Sequence, residues 1–129
     1  MEFTIKRTFK ATAKQIYKSW LSTQGHTKMT RGTAYVSDKV GDSFSAWEGY
    51  ITGANIELVP YSKIVQSWRT SNFETDEDDS QIEILLNERE NETELILKHT
   101  KVPESGEHYI TGWDEHYFEP MKAYFDQLN

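Results

Sequence analysis

Cysteine is absent from the 129-residue chain. Without a thiol, disulfides, thiolate-held metal centres and cysteine nucleophiles are all excluded, and the fold must hold by packing alone. That usage suits a reducing cytoplasm, which is the expected location. Long apolar runs are missing too. No stretch approaches the ~20 residues needed to cross a bilayer, and the opening Met1-Glu2-Phe3-Thr4-Ile5-Lys6-Arg7 lacks the apolar centre of a secretory signal. The sequon Asn91-Glu92-Thr93 is accordingly read as carrying no glycan. Positive charge is in deficit, with 14 Lys and Arg against 21 Asp and Glu and a formal net charge of −7. A chain of that sign is badly placed to neutralise phosphates or to sit on an anionic bilayer, so neither nucleic acid nor membrane is expected as a partner. Internal repeats and low-complexity linkers are also lacking, which leaves one domain spanning 1–129.

Aromatic residues are plentiful. Four Trp, seven Tyr and six Phe provide large apolar faces for a chain long enough to bury roughly two-thirds of its unfolded surface. The core is expected to be aromatic.

The pattern of elements follows from periodicity. Phe3, Ile5 and Phe9 alternate with polar residues as a half-buried strand requires. Thr12 followed by Gln15 forms a capping box, and Ala13, Ile16, Tyr17, Trp20 and Leu21 then recur at helical spacing. Between Gly25 and Gly32 the segment His26 to Arg31 suits either a short second helix or a loop. Short β-rich runs follow: Thr33 to Val36 and Ser43 to Trp47 as a hairpin, then Glu48 to Val59, then Ile64 to Thr70 after a turn at Pro60. Gly49 and Gly53 inside the third of these runs predict bulges or bends where the sheet curls. Five carboxylates between Glu74 and Asp79 make a solvated connector. Gln81 to Leu86 and Thr93 to His99 form a last hairpin around the turn Asn87 to Glu92, with His99 in phase with Leu95 and Leu97. From Ser105 to Asn129 the period lengthens: Ile110, Trp113, Tyr117, Met121, Tyr124 and Leu128 are spaced as one face of a long helix. Ser105, or Thr111 with Asp114, is the expected cap, and Pro120 predicts either a bend between His116 and Glu119 or a helix interrupted there. The result is an α+β helix-grip, a curved antiparallel sheet of about six or seven strands wrapped around the C-terminal helix, with one or two short helices after the first strand.

Four segments carry a family resemblance: Ile51-Thr52-Gly53, Glu57-Leu58-Val59-Pro60, Lys63-Ile64-Val65-Gln66-Ser67-Trp68-Arg69, and Gly112 to Lys122 with its Gly-Trp-x-x-x-Tyr-Phe pattern. The chain resembles, over essentially its whole length, the family of activators of heat shock protein 90 ATPase homologues, within the START-like or SRPBCC superfamily. The resemblance implies a sheet closed over a C-terminal helix, commonly with an internal hydrophobic cavity. It also implies the C-terminal half of the eukaryotic co-chaperone without the N-terminal chaperone-binding domain, for which 129 residues leave no room.

Chemistry-bearing motifs are scarce. There is no Gly-x-Ser-x-Gly elbow, phosphate-cradling glycine loop or dinucleotide fingerprint, so no catalytic residue, cofactor or metal ligand is assigned. His108 and His116, with Glu115 and Glu119 nearby, lack a recognised zinc spacing and read as a polar helix face. Trp47, Trp68, Trp113, Tyr117 and Met121 suit either an adaptable pocket for an apolar ligand or plain core. Gln66 and His99 are the candidate polar anchors, the alternative for His99 being a satisfied histidine near a strand end. Three functions follow: a non-enzymatic protein that binds an apolar or amphipathic small molecule, a co-chaperone-like module with a chaperone partner, and a cyclase- or hydrolase-like enzyme of the START-like type.

Overall fold

The computed structural model describes residues 1–129. Strand β1, Phe3–Phe9, is followed by two helices, α1 at Ala13–Trp20 and α2 at Thr23–Thr30. Strands β2 (Ser43–Ala46), β3 (Ile51–Val59), β4 (Lys63–Thr70), β5 (Ser80–Arg89) and β6 (Glu92–Thr100) come next. The C-terminal helical segment opens with a 3₁₀ turn at Glu104–Glu107 and continues as α3 (His108–Trp113), a π-helical turn (Asp114–Phe118) and α4 (Glu119–Leu128). All pairings are antiparallel in the order β1-β6-β5-β4-β3-β2, so the helix-grip expected from the sequence is the fold observed. No helix is long and apolar enough to cross a membrane.

Local chemistry explains the boundaries. The capping box at α1 forms in full: the Gln15 amide donates to Thr12 Oγ1 and the Thr12 amide to Gln15 Oε1, both at 3.0 Å. Two orphan donors are thereby satisfied at the helix start. Ser22 caps α2 by accepting from the Gly25 amide, so the segment that periodicity left open is helical. Ile82, Ile84 and Leu86 of β5 and Leu95, Leu97 and His99 of β6 share the buried face. The register that brings Ile82 opposite His99 and Ile84 opposite Leu97 keeps every second residue in the core.

Several expectations are corrected. The run Thr33 to Val36 is not a strand; its only ladder contact is the bridge between Tyr35 and Ser45. Gly49 lies in a left-handed turn before β3, with φ of 89°, and not in a strand interior. The bulge of β3 sits between Asn55 and Glu57, downstream of Gly53. Gly53 serves close approach instead: a Cβ there would stand 1.9 Å from the Ser67 carbonyl oxygen. Neither Ser105 nor Thr111 caps a helix by its side chain, because the chain enters α3 directly from the 3₁₀ turn. Ile110 and Leu128 are exposed.

The stripe that does face the sheet is Tyr109, Trp113, Tyr117, Met121 and Phe125, all buried. Its spacing is a strict four residues. Over sixteen residues an ideal α-helix would swing such a stripe by about 160°. The π turn takes up one extra residue, roughly 100°, which leaves a spread of about 60° and keeps all five on one side. Pro120 then falls in the first turn of α4, directly after the π turn. Across β1, Arg7 clamps the π turn with a bidentate pair to Asp114, at 3.0 and 2.7 Å.

Candidate functional site

Between the C-terminal helix and the β2–β3 end of the sheet lies a cavity of about 510 Å³, open on one side. Its deep wall is built from side chains in phase on two elements: Trp68 of β4, and Tyr109, Trp113 and Tyr117 of the helix stripe. The rings pack against one another, Trp68 on Tyr109 edge to face at 5.1 Å between centroids, and Trp113 tilted on Tyr117 at 4.8 Å. The outer wall comes from the turn after β2, where Trp47, Glu48 and Gly49 all have positive φ, at 52°, 59° and 89°. Two consecutive non-glycine residues in the left-handed region are held at a cost, and what they gain is the placement of Trp47. Its ring lies against Gly32, where an added Cβ would come within 2.5 Å of it, and meets His116 edge to face at 5.3 Å. Trp47 Nε1 is the one buried side-chain polar atom without a hydrogen-bond partner.

Two buried relays fix the deep wall. The Trp113 indole donates to His99 Nδ1 at 3.1 Å, so His99 carries its proton on Nε2 and donates it to Ser80 Oγ at 2.9 Å. Ser80 in turn donates to the Trp68 carbonyl at 2.6 Å. Burial lowers the His99 pKa to about 3, holding the ring neutral. The second relay has the opposite tautomer. His26 Nδ1 faces the Trp20 carbonyl at 2.8 Å and must donate, so Nε2 accepts from the Tyr117 hydroxyl, also at 2.8 Å. Burial lowers the His26 pKa to about 4, against an opposing hydrogen bond to the Trp20 backbone, and raises that of Tyr117. Both histidines have each ring nitrogen engaged and neither has a lone pair free for proton transfer.

The structure brings Trp47, Trp68, Trp113 and Tyr117 together on the cavity wall. Gln66, His99 and Met121 stand outside that lining and are fully buried. Gln66 accepts from Trp20 Nε1 at 3.3 Å and donates to Asn55 Oδ1 at 2.9 Å, and Met121 sits in the core behind the wall. Tyr50, Ile51 and Tyr109 line the cavity without having been singled out from the sequence. For Tyr109 a signal existed: it begins the four-residue spacing that Trp113, Tyr117 and Met121 continue, whereas its neighbour Ile110 fits only an uninterrupted α-helix. No three His, Cys, Asp or Glu side chains are grouped to hold a metal ion.

A curved antiparallel sheet gripping a C-terminal helix is the START-like, helix-grip fold. Within it, the profile of the family described as "Activator of Hsp90 ATPase homolog 1-like protein" matches residues 10–126, and the chain belongs to that family. It is similar to the human "Activator of 90 kDa heat shock protein ATPase homolog 1", 26% identical over 125 residues, which make up 96% of this chain and 37% of the human protein. The chain thus spans little more than a third of that relative. Among solved structures, an HSP90 activator from Plasmodium falciparum superposes with a TM-score of 0.87 at 24% identity, covering 95% of this chain and 94% of that one. The Aha1 dimer from Colwellia psychrerythraea does so with 0.81 at 18%, covering 97% and 96%. At these identities the superpositions establish the fold.

Proposed function

We propose that the protein is a non-enzymatic binding protein that holds an apolar or amphipathic small molecule between the sheet and the C-terminal helix, in the cytoplasm. One observation carries the reading: a cavity of about 510 Å³ is walled by Trp47, Trp68, Tyr109, Trp113 and Tyr117. That volume falls within the range of small-molecule sites, which pair a large apolar lining with few polar groups. His99 supports the site from behind by holding the Trp113 indole, and Gln66 by holding Trp20, whose ring stacks on Trp113 and Tyr117.

Gly112 supplies the test. It lines the cavity, and a Cβ added there meets no atom within 4 Å. Gly112→Leu should fill the groove while leaving the fold intact and raising helix propensity. Wild-type protein measured by native mass spectrometry should carry a bound mass absent after denaturation, and the variant should not. Equal ligand loading of the two proteins would overturn the assignment.

Family membership and the name of the human relative favour a second reading, a co-chaperone-like module acting on a heat shock protein 90 ATPase. Under it, the purified chain should raise the ATPase rate of its partner chaperone in a saturable titration, and Gly112→Leu should leave that rate unchanged. A flat titration removes this reading.

A further inference from the structure

The groove's charge pattern is as specific as its shape. Its walls are built from aromatic residues, whose ring faces carry negative potential. The one carboxylate in the lining is the exposed Glu115, and no lysine or arginine lines it. Glu48 stands exposed next to Trp47 in the rim turn, and the whole chain carries −7. The remaining titratable side chains facing the space are His108, His116 and the tyrosine phenols. An anion entering here would meet aromatic rings and a carboxylate with no fixed cation to pair with. A neutral hydrocarbon would fill the space and leave Glu115 unused. A cation would be met by aromatic rings in the groove and by the exposed carboxylate of Glu115.

Resting on the binding-protein reading, we propose that the ligand is an organic cation, an amphiphile whose ammonium or comparable group lies among Trp47, Tyr109 and Trp113 near Glu115, with its apolar part along Trp68. Ring faces and a nearby carboxylate attract a cation together, and the ring contribution grows as the charge is desolvated.

Three probes of similar size separate the possibilities: benzyltrimethylammonium, its uncharged carbon isostere neopentylbenzene, and benzylsulfonate. Binding is read by the fluorescence of the tryptophans, three of which line the groove. The cation should bind tightest and the anion weakest, with the cation ahead of the neutral isostere by about threefold or more. Glu115→Gln, at an exposed site where the fold is not at stake, should cost the cation about two- to fivefold and leave the isostere unchanged. Equal or tighter binding of the isostere, or an equal effect of Glu115→Gln on both, would overturn the cation assignment while leaving the pocket standing. Failure of all three probes to bind wild-type protein would remove the pocket reading and this one with it.

Discussion

Acid should unfold this protein through two histidines well before its carboxylates titrate. His26 and His99 are buried, with pKa values lowered by burial to about 4 and about 3 from an ordinary 6.5. The sign follows from which state binds protons. Below 6.5 the unfolded chain protonates both rings, whereas the folded chain keeps them neutral, so stability rises with pH in this window. It is complete above about pH 6.5 and is lost as the pH falls towards the folded values. At about pH 5 the unfolded histidine sits 1.5 units above the working pH, which at about 1.36 kcal/mol per unit costs about 2 kcal/mol for each residue. The folded values lie a unit or more lower still and barely enter the sum. Together the two remove about 4 kcal/mol, a large share of the 5–15 kcal/mol typical of a domain. Asp126, whose carboxyl is held below its usual range by the hydrogen bond from Lys122, loses its contribution only further down. The assay is urea unfolding followed by tryptophan fluorescence at about pH 7.5, 6 and 5, with the denaturant slope checked for constancy. His26→Gln and His99→Gln should each lower stability at neutral pH and each remove about half of the pH dependence. A stability that is flat from pH 7.5 to 5, or a dependence that survives loss of both rings, would refute the reasoning.

The two relays also fix opposite neutral tautomers, so long-range proton–nitrogen NMR correlations should show a protonated Nδ1 in His26 and a protonated Nε2 in His99; matching tautomers would break the assignment of donors. Gly53→Ala places a methyl group 1.9 Å from the Ser67 carbonyl oxygen and should cost about 2–3 kcal/mol by urea unfolding, since backbone must move; a loss below about 0.5 kcal/mol would mean that β3 and β4 separate freely there.

Much of the fold was legible because the sequence signals were local and redundant. Thr12 and Gln15 announced α1, alternation marked β1, β5 and β6, and the aromatic run marked the C-terminal helix. What escaped depended on contacts between distant residues. Gly53 looked like a bulge because the Ser67 carbonyl that forbids its side chain lies on the next strand. Gln66 and His99 looked like ligand anchors because a polar residue on an apolar strand face reads the same whether its partner is a ligand or a side chain brought from elsewhere. Trp20 and Asn55 claim the first, and Trp113 and Ser80 the second. Tyr50 reaches the groove only through the left-handed turn at Trp47 to Gly49, which no periodicity announces.

The wide turn at Asp114–Phe118 divides the C-terminal helix into two rods and sets the phase of the second against the first. The first, through Gly112 and Trp113, presents the groove; the second, through Met121 and Phe125, is bolted to the floor of the molecule. Side-chain substitutions in the first rod leave that phase as it is, because it depends on the number of residues in between. Deleting a single residue from the joint would instead rotate everything beyond it by about 100°.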